Sequence, residues 1–255
     1  MKLPVTLLCS LLSIATASAQ ATYRFGVRAG GNYATTTEKS ATFTSYGNAT
    51  AAYHKSPLFA GQIGVVLEAR WNKLAFQPAL LFSQKGTLID ADLMSIDPAT
   101  GYFQRRVGQT TARYNWLELP LNLVYDLPGQ LGLHVFAGPY VAVGVGGKAI
   151  SEVYNSTNDP NNPAQIPYTK FGDKIEYDLS DATLAITAFS IRGFYSRRVD
   201  AGFNAGVGYR RGPVQVQAGY GLGLVNLYYD KAADRYNSSS GYNRVAQLTA
   251  TYFFN

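Results

Sequence analysis

Cysteine and charged residues are both scarce in this chain of 255 residues, which has one cysteine and 15% charged residues. A single cysteine excludes a scaffold of disulfide bonds. The charged fraction is well below the roughly 25% of an ordinary soluble domain. No run of five or more like charges is present to attract nucleic acid. A Gly-X-Y repeat is also missing, which excludes collagen, and a hydrophobic content of 47% excludes disorder.

The first 19 residues have the pattern of a secretory signal peptide. Lys2 gives a positive start, residues 7–14 form a short apolar core, and Ala17-Ser18-Ala19 is an A-x-A cleavage site. The apolar core is too short to cross ~30 Å of hydrocarbon as a helix. We therefore expect an exported protein that is cleaved after Ala19 and has a mature domain of residues 20–255.

Apolar residues alternate with polar or small ones in eight segments. Residues 23–30 show the pattern clearly, because the odd positions are apolar and the even ones are Arg or Gly. Successive side chains of a strand point to opposite faces, so the pattern predicts strands with one apolar and one polar face. No segment has the apolar stripe of a helix. The other seven segments are 59–71, 74–82, 117–125, 133–145, 199–209, 214–224 and 246–254.

The connections between these segments alternate in length. Three are short, at 72–73, 127–131 and 211–212. Four are long and polar, at 35–56, 86–112, 149–197 and 227–241. Barrels of the outer membrane have short periplasmic turns and long outer loops. The sequence thus predicts an all-β fold, a closed antiparallel up-and-down transmembrane β-barrel of eight strands, with both chain ends in the periplasm.

Two variants of this architecture stay open. Residues 175–177 and 185–189 could pair as an additional hairpin, and if both crossed the membrane the count would rise to ten strands. We expect outer extensions instead, because neither segment has a long enough lipid-facing apolar set. A soluble barrel of the lipocalin kind also alternates, but it has its apolar face inside. The polar faces here carry long charged side chains beside glycines, which suits a tight interior, and large aromatic residues such as Trp71 and Tyr125 lie near strand ends. Closure also pairs every backbone group, as lipid requires, so the pattern favours a membrane barrel.

Charged residues on the polar faces predict a network of ion pairs inside the barrel. Buried charges survive by being paired, and an eight-stranded barrel is just wide enough for side chains to fill it. We therefore favour a salt-bridged plug over a catalytic or proton-carrying cluster. The predicted members are Arg24, Arg28, Glu68, Arg70, Glu118, Asp126, Asp200 and Arg210.

The chain offers little for catalysis, metals or cofactors. His54 and His134 lack a second His or a Cys at ligand spacing. No nucleophile motif accompanies His54. Gly144–Gly147 is not followed by the helix and the Lys-Ser/Thr of a phosphate-binding loop. We expect no enzymatic activity, no cofactor and no metal.

Four motifs resemble the PorT-type outer-membrane β-barrel family. Residues 25–33 (FGVRAGGNY) are similar to its first strand, 117–121 (LELPL) to its L-E-I-P-L fourth strand, 136–140 (FAGPY) to its A-G-P-Y fifth strand, and 200–202 (DAG) to its sixth. The resemblance implies an eight-stranded outer-membrane barrel over nearly the whole mature chain. It also allows an accessory role in a protein-secretion or assembly machine, with which one founding member is associated.

The expected function is that of a non-enzymatic, monomeric outer-membrane barrel with a plugged polar interior. Its outer loops, 149–197 above all, would bind a partner or contact the envelope. A small-solute channel is less expected because the barrel is narrow. Expected partners are outer-membrane lipids and lipopolysaccharide, the barrel-assembly machinery during insertion and an envelope protein, but not nucleic acid.

Overall fold

The computed structural model describes residues 21–38, 49–129, 132–161, 168–177, 194–227 and 241–254. The predicted signal peptide and residues 185–189 lie outside these ranges. Within them, no helix is long and apolar enough to cross a membrane. The described residues form ten strands: β1 Thr22–Glu38, β2 Ala49–Trp71, β3 Leu74–Ile96, β4 Phe103–Asp126, β5 Leu133–Thr157, β6 Tyr168–Tyr177, β7 Phe194–Ser196, β8 Val199–Arg211, β9 Val214–Gly223 and β10 Gly241–Phe254.

Eight of these strands close a ring of hydrogen bonds. The order is β1–β2–β3–β4–β5–β8–β9–β10, and β10 returns to β1. Every pairing in the ring is antiparallel, and the closing pair runs from Phe25 opposite Phe254 to Glu38 opposite Gly241. The predicted closed antiparallel barrel is therefore confirmed.

The apolar side chains lie on the outside of the ring. Phe59, Leu67 and Val207 are about 60% exposed or more, whereas Glu68, Gln77 and Asp200 on the inner face are at most 1% exposed. This arrangement is the reverse of a lipocalin. Exposed aromatic residues occupy the end of the barrel with the short turns, as in the aromatic girdle of outer-membrane barrels. They are Tyr23, Trp71, Tyr125, Tyr209 and Tyr252.

Two short turns at that end fit their sequences. Asn72 has φ +52° between β2 and β3, and Gly212 has φ +59° between β8 and β9. Tight hairpins need positive φ, which Asn and Gly adopt at least cost. We call this end of the barrel the turn end and the opposite one the extension end.

The strands are longer than predicted at the extension end. The segment predicted as a loop at 86–112 is mostly strand, and only residues 97–102 connect β3 to β4. Likewise, β2 begins at Ala49 and β5 continues to Thr157. These parts were missed because their apolar residues do not alternate: Leu88 and Ile89 are adjacent, and so are Leu93 and Met94, so the pattern that indicates a strand is lacking. We call residues 49–58, 87–113, 148–157 and 168–177 the strand extension.

Of the possible additional hairpin the structure describes only residues 175–177, because 185–189 lie outside the described ranges. β6 contains residues 175–177, but it pairs with the outer half of β5 at 148–154 and does not enter the ring. β7 pairs with β6 in parallel, so these two strands are not a hairpin. The ring at the level of the turn end consists of the eight predicted strands.

Candidate functional site

An ion cluster fills the interior near the turn end. Glu68 on β2 accepts hydrogen bonds from Arg210 Nη1 at 2.8 Å and from Gln77 Nε2 at 2.7 Å. Arg70 also donates to Glu68, at 3.2 Å, and pairs with Asp126. The guanidinium of Arg210 lies 4.6 Å from the centre of the Phe253 ring. Two cations and two carboxylates thus neutralise one another; we call Glu68, Arg70, Asp126 and Arg210 the turn-end cluster.

A single arginine with neutral partners occupies the middle of the barrel. Arg28 is 4% exposed, and its Nε donates to the hydroxyl of Thr251 at 3.0 Å. Its Nη2 donates to the amide oxygens of Gln217 at 3.0 Å and Gln77 at 3.4 Å. Among the described residues no ion pair includes Arg28. A permanent positive charge therefore stands in the centre of the barrel, held by amides and a hydroxyl.

A second ion cluster lies towards the extension end. Lys85 Nζ is 2.6 Å from Glu118 and 3.9 Å from Asp200. Asp200 also accepts hydrogen bonds from the hydroxyl of Tyr140 at 3.0 Å and from Asn243 at 2.8 Å. Lys85, Glu118 and Asp200 are each at most 4% exposed. We call these five residues the lysine cluster, in which one ammonium serves two buried carboxylates.

An aromatic cap covers the lysine cluster. The ring of Tyr177, from β6, packs edge-on against Trp116 with centroids 5.6 Å apart. Its hydroxyl donates to the carbonyl of Gly146 at 2.7 Å. The ring fits because position 144 is glycine: a Cβ there would lie only 2.3 Å from it. Ile175 and Leu227 are buried in the same apolar group.

The space left between these layers is very small. One cavity, lined in part by Arg28, Glu118, Asn122 and Gln217, leaves about 10 Å³ for the centre of a water molecule. That is room for about one water and not for a solute. In the part of the chain that the structure describes, no group of three His, Cys, Asp or Glu side chains could hold a metal ion.

The eight residues of the expected network divide between separate places. Four form the turn-end cluster, and Arg24 is half-buried at the same end, opposite Glu68 in the β1–β2 register. Arg28 stands apart with neutral partners. Glu118 and Asp200 lie beside Lys85 and not beside the arginines that we expected to neutralise them.

Lys85 is the buried charged side chain that the sequence analysis missed. It directly precedes a segment that we interpreted as a loop. The signal that could have found it is the inward face of β3, where alternate residues Ala75, Gln77, Ala79, Leu81 and Ser83 are buried and Lys85 continues the series. Of the two histidines, His134 is buried near Gln217, and His54 is opposite Asp90 in the strand extension.

Comparison with known proteins identifies the family. A family model described as the outer membrane protein beta-barrel domain matches residues 18–229. The chain belongs to this family. The outer membrane protein β-barrel domain thus accounts for the closed ring, the exposed apolar surface and the polar interior, and it locates the protein in the outer membrane.

Solved structures similar to this β-barrel domain have low identity to it. Neisserial surface protein A is 13% identical, with 90% of this chain and 97% of that chain covered and a TM-score of 0.35. Ail, the attachment invasion locus protein of Yersinia pestis, solved with the heparin analogue sucrose octasulfate, is 8% identical, with 91% and 99% covered and a TM-score of 0.37. No curated protein sequence matches the chain.

Proposed function

We propose that the protein is a PorT-type, non-enzymatic outer-membrane barrel that is closed to solutes and acts through its strand extension as a binding surface. The observation that carries the proposal is the filled interior. Two ion clusters, the central Arg28 and the aromatic cap follow one another along the barrel, and the cavity beside Arg28 and Glu118 has room for about one water. A barrel of eight strands has little lumen to begin with.

The proposal includes an orientation: the strand extension faces the outside, and both chain ends face the periplasm after the signal peptide is removed. The asymmetry of the barrel supports it. Connections at the turn end are short, such as Asn72-Lys73, while the extension end carries strands that continue far past the apolar surface. Outer-membrane barrels place their longer connections outside.

Purified full-length protein in a planar lipid bilayer is expected to give no steady conductance. The charge of Arg28 and the salt-bridged turn-end cluster would obstruct ions even if the aromatic cap moved, so Tyr177→Ala should be silent as well. A wide porin inserted under the same conditions is the positive control. Uniform, long-lived conductance steps from the wild-type protein would contradict a closed barrel.

Cysteine labelling in intact cells tests the orientation. Outside the predicted signal peptide the chain has no cysteine, so a single introduced thiol reports its own position. Thr100→Cys, in the β3–β4 connection, should react with a membrane-impermeant maleimide, and Lys73→Cys, in the β2–β3 turn, should react only after the outer membrane is opened. Labelling of Lys73→Cys alone in intact cells would show the reverse orientation.

A further inference from the structure

Three basic residues occupy opposite positions on three neighbouring strands of the extension. Arg113 on β4 is opposite Lys148 on β5, and Lys148 is opposite Lys174 on β6. They share the outward face, because each alternates with buried residues: Tyr114, Ala149 and Ile175 respectively. Like charges directly opposite one another destabilise a sheet. We call Arg113, Lys148 and Lys174 the basic row.

The basic row is not neutralised by the described residues. Arg113 reaches across Gly86, its neighbour on β3, and donates from Nη1 to the carbonyl of Phe59 at 2.9 Å. No carboxylate in the described ranges forms an ion pair with the row. The nearest acidic side chain on this face of β6 is that of Glu176, two positions after Lys174, so an excess of positive charge remains.

Cations elsewhere on the same sheet have partners. Lys170 forms an ion pair with Glu152 at 2.6 Å, and Arg105 forms one with Asp92 at 2.6 Å. Asp92 has a pKa below its usual value because the guanidinium of Arg105 hydrogen-bonds to it. These two cations of the extension thus have carboxylate partners, whereas no described carboxylate forms an ion pair with the basic row.

The position of the row corresponds to the edge of the lipid-facing surface. On β5 the exposed apolar residues Val141, Val143 and Val145 come immediately before Lys148. On β4 the exposed Leu117 is four residues from Arg113. Cations at this level meet the headgroups of the lipids that surround the barrel, where each basic side chain near an anionic surface adds to the attraction.

A pair of aromatic rings lies farther along the same two strands. Tyr154 on β5 is opposite Tyr168 on β6, with ring centroids 5.0 Å apart, and both side chains are exposed. Six residues separate Tyr154 from Lys148, which places the rings about 20 Å beyond the row. The apolar faces of sugar rings pack against exposed aromatic rings of this kind.

We propose that the basic row binds the phosphate groups of a phosphorylated glycolipid of the outer leaflet, whose sugar chain follows β5 and β6 to Tyr154 and Tyr168. This inference rests on the proposed function, because it requires the strand extension to face outward. It explains why like charges are tolerated on adjacent strands: the phosphates of the ligand separate and neutralise them.

Binding of lipid A to the full-length protein in zwitterionic detergent tests the proposal. Lys148→Gln/Lys174→Gln should weaken the binding of diphosphorylated lipid A about tenfold or more. Arg105→Gln/Lys170→Gln is the matched control, since it removes the same charge from the same sheet, and it should change the affinity by about twofold at most. Removing the phosphates from lipid A should weaken wild-type binding to a similar extent and should affect the row variant little.

Three outcomes would overturn the inference. In the first, both double variants weaken the binding of lipid A equally. In the second, the wild-type protein binds lipid A with the same affinity whether or not the phosphates are present. In the third, inorganic phosphate binds at these lysines as tightly as lipid A does. Gel mobility with and without heating verifies that each variant is folded. If the labelling experiment shows the reverse orientation, the proposed function is refuted. If it shows the strand extension outside but the row variant and the control variant bind lipid A equally well, only the proposal about the basic row is refuted.

Discussion

Lys85→Met is expected to lower the free energy of unfolding by about 3–5 kcal/mol, the usual cost of removing one partner from a buried ion pair. Lys85 is the ammonium that contacts both Glu118 and Asp200 in the lysine cluster. Without it two carboxylates remain in the barrel with only the Tyr140 hydroxyl and the Asn243 amide as described donors to Asp200. Methionine keeps most of the volume of the lysine stem, so the loss should come from charge.

A double variant separates charge from packing in this experiment. Lys85→Met/Glu118→Gln removes one charge of each sign and should recover about half of the loss, because the opposed charges are removed together. Urea unfolding in lipid vesicles, followed by tryptophan fluorescence, measures both variants. If the double variant loses as much free energy of unfolding as Lys85→Met and Glu118→Gln lose together, charge balance does not stabilise the lysine cluster.

Glu68→Gln should also cost about 3 kcal/mol or more, because it leaves two arginines facing a neutral amide. Arg210 then loses its carboxylate partner entirely, while Arg70 retains Asp126. The glutamine can still accept a hydrogen bond, so the change isolates charge from hydrogen-bonding capacity. The expected result is earlier urea unfolding and a lower temperature for the gel shift from folded to unfolded protein.

The control for Glu68→Gln is the same substitution at an exposed pair. Glu152→Gln breaks the contact with Lys170 at 2.6 Å on the surface of the strand extension. Exposed ion pairs contribute little to stability, so this variant should unfold almost as the wild type does. Equal stability losses at the two positions would contradict a special role for the turn-end cluster.

The fold could be predicted because lipid imposes a strong pattern on the sequence. Leu117, Leu119, Leu121 and Leu123 alternate with inward residues, and every ring strand repeats this arrangement. The strand extension escapes the rule because its outward face is not covered by lipid, so polar residues such as most of those at 104–111 are tolerated there. Alternation in the sequence therefore indicates which part of a strand crosses the membrane, but it does not indicate where the strand ends.

The sequence predicted that charged side chains lie inside the barrel, but not which of them pair with each other. Placement of Glu68 near Arg70 follows from their spacing of two on β2, which puts both on the inner face. The contact of Lys85 with both Glu118 and Asp200 depends on the register between β3, β4 and the distant β8, which no local pattern encodes. The same holds for Tyr177. Its ring lies beside Gly144 because β5 pairs with β8 over residues 133–143 and with β6 over residues 148–154.

The pairing of β1 with β10 has a consequence for how the protein enters its membrane. These strands form 14 residue pairs, although Phe25 and Phe254 are more than 200 positions apart in the chain. Until they meet, any partial sheet has two unsatisfied edges, which hydrocarbon does not tolerate. Such a distant contact forms late. We therefore expect insertion to be a single cooperative event that is complete only when β1 and β10 meet.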